Sequence, residues 1–167
     1  MSQRRIVYIK VKFSIKDEGK IYLNLSEKLN GFLSKEEIDR DLKEILKKDG
    51  WKEDGANMVK EDGDVKIVYN IEKEEISVNI NRVKVVKIRE ERAEKDKESL
   101  EQSERKRIVS EIKLYLEEAE KKFKEKYIPE MVKEAIKRKA KAIDPGAEIV
   151  SEKEDESSLS LTISLEV

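Results

Sequence analysis

Adjacent glutamates are the first residues in this chain equipped for chemistry. Glu36-Glu37, Glu74-Glu75, Glu90-Glu91 and Glu117-Glu118 each set two carboxylates side by side. Such a pair works as general acid and base when its two pKa values are pushed apart. All four lie in lysine-rich surroundings that separate nothing, so they read as solvated faces. Asp62-Gly63-Asp64 has the residue types of a calcium loop but lacks its third Asp and the spacing to its terminal Glu. It reads as a hairpin turn. The chain has no His and no Cys, which removes the Ser-His-Asp and Cys-His triads, His-containing zinc sites, thiolates and disulfides. No Gly-x-Gly-x-x-Gly or Gly-Lys-Ser/Thr phosphate cradle is present. The expectation is a protein that is not an enzyme and has no catalytic site, cofactor or metal. A carboxylate-metal enzyme is the last alternative.

Two basic runs are the remaining candidates. Lys133, Lys137, Arg138, Lys139 and Lys141 crowd one helical stretch, and Arg82, Lys84, Lys87 and Arg89 another segment. Either could hold phosphates, and a groove lined by both would suit a nucleic acid. The first run also complements the dipole at a helix C-terminus. With 37 basic and 38 acidic side chains the formal net charge is -1, against a general nucleic-acid binder but not against a local basic stripe. Most aromatic residues fall on or beside apolar stripes. Tyr8 and Tyr22 lie out of phase with their apolar neighbours and are expected to be exposed.

The elements that must carry these residues follow from periodicity. Val7, Ile9, Val11, Phe13 and Ile15 alternate with polar residues, as do Ile21, Leu23 and Leu25, which predicts two strands. Asp17-Glu18-Gly19-Lys20 between them reads as a turn, making a hairpin. Ser34-Lys35-Glu36-Glu37 is a capping box opening a helix with the stripe Ile38, Leu42, Ile45, Leu46. Asp49-Gly50 closes it, Gly50 as a left-handed cap, and Trp51 packs on the helix end. A short strand over Asn57 to Lys60, a turn over Glu61 to Asp64 and the alternation Val65, Ile67, Tyr69, Ile71 follow. Glu72 to Glu75 turns the chain into Ile76, Val78 and Ile80. The apolar phase then slips to Val83 and Val85, which predicts a bulge near Asn81-Arg82 or a change of strand.

A charged helical segment spans about 89–128. Its first half, to Arg107, lacks a core stripe, so it reads as a helix projecting into solvent, a flexible linker or a partner contact. Ile108, Ile112, Tyr115, Leu116, Ala119 and Phe123 then form a stripe. Pro129 interrupts it and starts a new helix with Met131, Val132, Ala135, Ile136, Ala140 and Ile143 on its apolar face. Gly55-Ala56 and Gly146-Ala147 each open a stretch with Val at the fifth position and Glu at the seventh, running into an alternating strand. The halves 1–75 and 76–167 therefore read as an internal duplication. The expected fold is one α+β domain over 1–167: an antiparallel sheet of six or seven strands with helices largely on one face. The last strand, Leu159 to Val167, is expected inside that sheet.

No apolar run approaches the ~18–20 residues that cross a bilayer. Lys10 and Lys12 break the apolar N-terminus, which does not read as a signal peptide, so a cytoplasmic protein with no membrane partner is expected. Charged residues make up 45% of the chain, dominated by Lys and Glu, the compositional style of hyperthermophiles. The stretch KYIPEMVKEAIKRKAKAIDPGAEIVSEKEDESSLSLTISLEV resembles the end of a small uncharacterised family from cyanobacteria and plastids. That family is related to domains encoded beside MoxR-type AAA+ ATPases in bacterial ternary systems. The matching elements are Tyr127, Gly146, Ile149-Val150 and Leu159 to Leu165, with a fainter echo over Leu42 to Ile71. The resemblance implies a non-enzymatic accessory protein working through a protein partner beside an ATPase. A nucleic-acid-binding protein using runs 82–89 and 133–141 is the alternative.

Overall fold

The computed structural model describes residues 5–146, 148–154 and 159–164. The chain is α+β, built on a five-stranded antiparallel sheet of order β1-β5-β4-β3-β2. β1 (Tyr8–Tyr22) and β5 (Glu75–Arg89) pair along their whole length, Tyr8 opposite Arg89 and Tyr22 opposite Glu75. β4 (Val65–Asn70), β3 (Asn57–Asp62) and the short β2 (Lys52–Asp54) complete the sheet. Two short helices stand between β1 and β2: α1 (Leu25–Lys28) and α2 (Lys35–Lys48). The Ser34/Glu37 capping box forms as the sequence indicates, and Gly50 takes its left-handed conformation at φ 88°.

The expected hairpin over Asp17 to Lys20 is corrected, because β1 is one continuous strand through it. Phe13, Ile15 and Ile21 are all odd-numbered, so the apolar phase never reverses, and β5 supplies a partner for every residue. Gly19 is there for closeness rather than for a turn. A Cβ on it would stand 2.6 Å from Ile112 Cγ2 and 2.8 Å from Leu116 Cδ1, so its absence lets the helix above settle onto the sheet. Gly19→Val should lower stability by about 2–3 kcal/mol through overpacking. Urea denaturation checks this, and an unchanged midpoint would contradict the packing described.

The bulge expected near Asn81-Arg82 is also absent, since the β1–β5 register runs unbroken past it. Even-numbered residues of β5 keep one face throughout: Ile76, Val78 and Ile80, then Arg82 and Lys84, then Val86 and Ile88. The strand does not slip; two basic residues simply take inward positions. Val83 and Val85 consequently point outward, 52% and 59% exposed.

After β5 the chain enters α3 (Ala93–Lys122), a π-helical turn over Phe123–Tyr127 and α4 (Ile128–Ile143) without leaving helical conformation. Helical conformation therefore continues past Pro129, which takes the first turn of α4 as expected. The proline has no N–H for the carbonyl four residues back, and its ring crowds that carbonyl. The wider π turn absorbs the misfit: the Ile128 N–H donates to Phe123 O, five residues back. The charged half of the segment is neither linker nor free projection, because α3 packs across β1 and β5.

Two apolar clusters fill the space between helices and sheet. Ile108 and Ile112 of α3 meet Phe13, Ile15, Val65, Val78 and Ile80. Ile38, Leu42 and Leu46 of α2 meet Trp51, Tyr69, Phe123, Tyr127 and Met131. Ile67 and Leu116 pack against both clusters and join them. β6 (Glu148–Glu154) and β7 (Leu159–Ser164) form a separate two-stranded sheet. The expectation of a single sheet of six or seven strands, with the last strand inside it, is thus corrected. The chain reaches this hairpin only after α4, which packs on α2, and β7 runs beside α4 rather than beside the main sheet. Strand, helix and hairpin follow one another in both halves, but the two hairpins occupy different places. Among the described residues no helix is long and apolar enough to cross a membrane.

Candidate nucleic-acid interface

The structure places the two basic runs at different interfaces and gives most of their charge a partner. Arg82 faces inward between sheet and helix. It donates to Asp64 at 2.7 and 3.3 Å, to Glu104 at 3.2 Å and to Glu111 at 2.6 Å. Its hydrogen bond holds the Asp64 carboxyl below the usual aspartate range, and Asp64 in turn raises the guanidinium. Lys84 stands 3.9 Å from the buried Glu104. Arg138 binds Asp41 at 3.1 Å and Glu37 at 3.3 Å, tying α4 to α2. The Asp41 contact is the chief cause of its raised pKa. Lys137 stands 3.8 Å from Glu134. Lys133 is half-buried and engaged, and Lys141 is exposed. The runs do not meet in one groove.

Lys87 belongs to a different surface. β1 and β5 turn their other face away from the helices, and the register sets Tyr8 opposite Arg89, Lys10 opposite Lys87, Lys12 opposite Val85, Ser14 opposite Val83 and Lys16 opposite Asn81. All ten residues are exposed. Neither strand places a carboxylate on this face between those limits, and at its far end Asp96 of α3 lines a surface hollow with Tyr8, Lys87 and Arg89. Among the described residues none of Lys10, Lys12, Lys16, Lys87 and Arg89 is engaged in an ion pair. Tyr8 is 57% exposed and Tyr22 61%, as their phase indicates. In a chain with slightly more acidic than basic groups, a stripe of five unpaired cations is a segregated charge with its own local field.

Reading the basic runs along the chain missed Lys10, Lys12 and Lys16, because they are spread through a strand. The signal was present: the polar positions of VYIKVKFSI are basic at three of the next four alternate places after Tyr8, counting through Lys16. Folding brings them beside Lys87 and Arg89, 71 to 79 residues away in sequence.

Two other places have chemically capable groups. Glu74, with φ 55° and 4% exposure, accepts from the Ser26 N–H, the Ser26 hydroxyl and, at 3.1 Å, Lys35 Nζ. Burial works against its charge, but Ser26 and Lys35 outweigh burial and its pKa is lowered. Burial likewise opposes the charge on Lys35, but Asp39 and Glu74 outweigh it and the pKa is raised. The pair is held ionised, an arrangement that fastens α1 and α2 to the β4–β5 turn. The second place is a cleft of about 340 Å³ at the π turn, lined by Trp51, Ile67, Tyr115, Ala119, Phe123 and Tyr127 among others. The Tyr127 hydroxyl donates to Asp49 and accepts from Trp51 Nε1 at 3.3 Å. Burial, then Asp49, pushes the Tyr127 pKa up to about 12. Among the described residues no three carboxylates converge as a metal site.

No family model, curated protein or solved structure matches the chain.

Proposed function

We propose that this protein is a non-enzymatic nucleic-acid-binding module whose contact surface is the open face of the β1–β5 ribbon. The observation that supports this most is the set of five cations that have no ion-pair partner among the described residues, on a stretch where neither strand carries a carboxylate. Basic side chains held without partners on a rigid sheet meet phosphates at little cost in ordering, and release counterions when they do. Lys87 keeps the phosphate-contact role expected from the sequence. Arg82, Lys84 and Arg138 serve as structural clamps in this reading, with Lys10, Lys12, Lys16 and Arg89 in their place.

Lys12→Glu combined with Lys87→Glu replaces two attractions by two repulsions on exposed positions. Binding of a fluorescent oligonucleotide at low salt should fall about 100-fold or more, with the melting temperature unchanged. Retained affinity in a folded variant would remove this reading.

A second reading, an accessory protein beside an AAA+ ATPase, is supported by the edge position of β1. An edge strand of 15 residues offers backbone groups to a partner's strand. Adding the protein to a MoxR-type ATPase should then change its rate of ATP hydrolysis; an unchanged rate counts against it.

A further inference from the structure

We infer, on the nucleic-acid reading above, that the ribbon face takes a single strand laid along β1 and β5, with its terminal base stacked on Tyr8. The shape of the charge carries the argument. Lys10 and Lys12 are two residues apart on one strand, about 7 Å, and Lys10 faces Lys87 across the register at about 5 Å. From Tyr8 to Lys16 the stripe is about 27 Å long and only two strands wide. Past Asn81 there is no third strand, because β4 begins at Val65, opposite Ile80.

A duplex presents two phosphate backbones separated by a groove about 12 Å wide, and a protein gripping it needs cations along two lines. Here the cations follow one line. On the β4 side of the ribbon the nearest charged pair is Asp64 with Arg82, whose guanidinium is already spent on carboxylates. A second backbone would find nothing to hold it. Carboxylates also close the stripe at both ends: Glu18 on the same face of β1, and Glu90 and Glu91 after Arg89. That limits the footprint to about four to six nucleotides, the short end of known single-strand sites. Within the stripe Val83 and Val85 give apolar contact, and Tyr8 beside Arg89 gives an exposed ring and a planar cation, the two groups on which bases stack.

The test compares an eight-nucleotide oligothymidylate with an eight-base-pair duplex by fluorescence anisotropy at low salt, using the full chain. Single-strand binding should be at least about ten-fold tighter. Tyr8→Ala should weaken it by about ten-fold without changing the salt slope, because stacking is not ionic. Tyr8→Phe should retain full affinity. Tyr22→Ala, on the same face but beyond Glu18, should have no effect. Equal or tighter binding of the duplex, or an unaffected Tyr8→Ala, overturns the inference and leaves the nucleic-acid reading standing. No binding of either form overturns both.

Discussion

Arg82→Met should destabilise the fold by about 2–4 kcal/mol, the largest expected effect of any single substitution at a charged position. Among the described residues Arg82 is the only cation that touches Asp64, Glu104 and Glu111 together. Its loss leaves Glu104, 7% exposed, with only Lys84 at 3.9 Å and Arg107 at 3.6 Å. Removing one partner of a fully buried ion pair costs ~3–5 kcal/mol. The figure here is set lower because Asp64 and Glu111 keep about a third of their exposure and water screens them. In a chain of this size the loss appears as a drop of about 5–12 °C in melting temperature. Replacing Glu104 as well, in Arg82→Met/Glu104→Met, should recover much of it, since an apolar pair of similar volume carries no stranded charge. A double-mutant cycle measures the coupling.

The same contact has a pH signature. Asp64 has its folded pKa lowered by Arg82, so its contribution is present above the ordinary aspartate pKa and is lost as pH falls through the lower folded value. Arg82→Met abolishes that contribution. The gap between wild type and variant should therefore be widest near neutrality and narrow below about pH 4. A gap that stays constant into acid would assign the loss to packing rather than to charge.

Deleting Glu125 should cost about 3 kcal/mol, although its side chain is exposed. The π turn contains one residue more than an α-turn would, so removal closes it into an ordinary α-turn and leaves α4 on the same face. Pro129 would face an ordinary helical turn that it cannot enter without a clash. Trp51 reports the change directly: it is the sole Trp and stands edge-on to Phe123 and Tyr127, with centroids at 6.0 and 6.5 Å. Its emission should shift to the red as the cluster opens. Unchanged emission and stability would mean that the chain needs no π turn to pass Pro129.

Wherever local chemistry decided the outcome, the sequence was legible. The Ser34/Glu37 box, Gly50, the stripe of α2, the Gly63 turn and the exposure of Tyr8 all follow from neighbours a few residues apart. What was missed depended on contacts from far along the chain. Asp17 to Lys20 has turn composition, yet β5 holds it straight and Gly19 admits a helix. Arg82 and Lys84 look like a surface run, yet three carboxylates from β4-side and α3 positions draw Arg82 inward. That pull also explains the apparent phase slip at Val83. Pro129 looked like a stop because the compensating π turn has no sequence mark of its own. The candidate surface was half legible: Lys87 and Arg89 stood in a run, while Lys10, Lys12 and Lys16 hid in the polar phase of a strand.

The most direct measurement is the salt dependence of oligonucleotide binding, in the wild type and in Lys12→Glu/Lys87→Glu. Five cations on a single strand should give a slope of log affinity against log salt of about -3.5, from ~0.7 counterions released per phosphate contact. The reversed variant should bind too weakly for a slope to be drawn. Binding with a slope near zero, or the same slope in both proteins, would contradict the claim that the ribbon face is where this protein meets its partner.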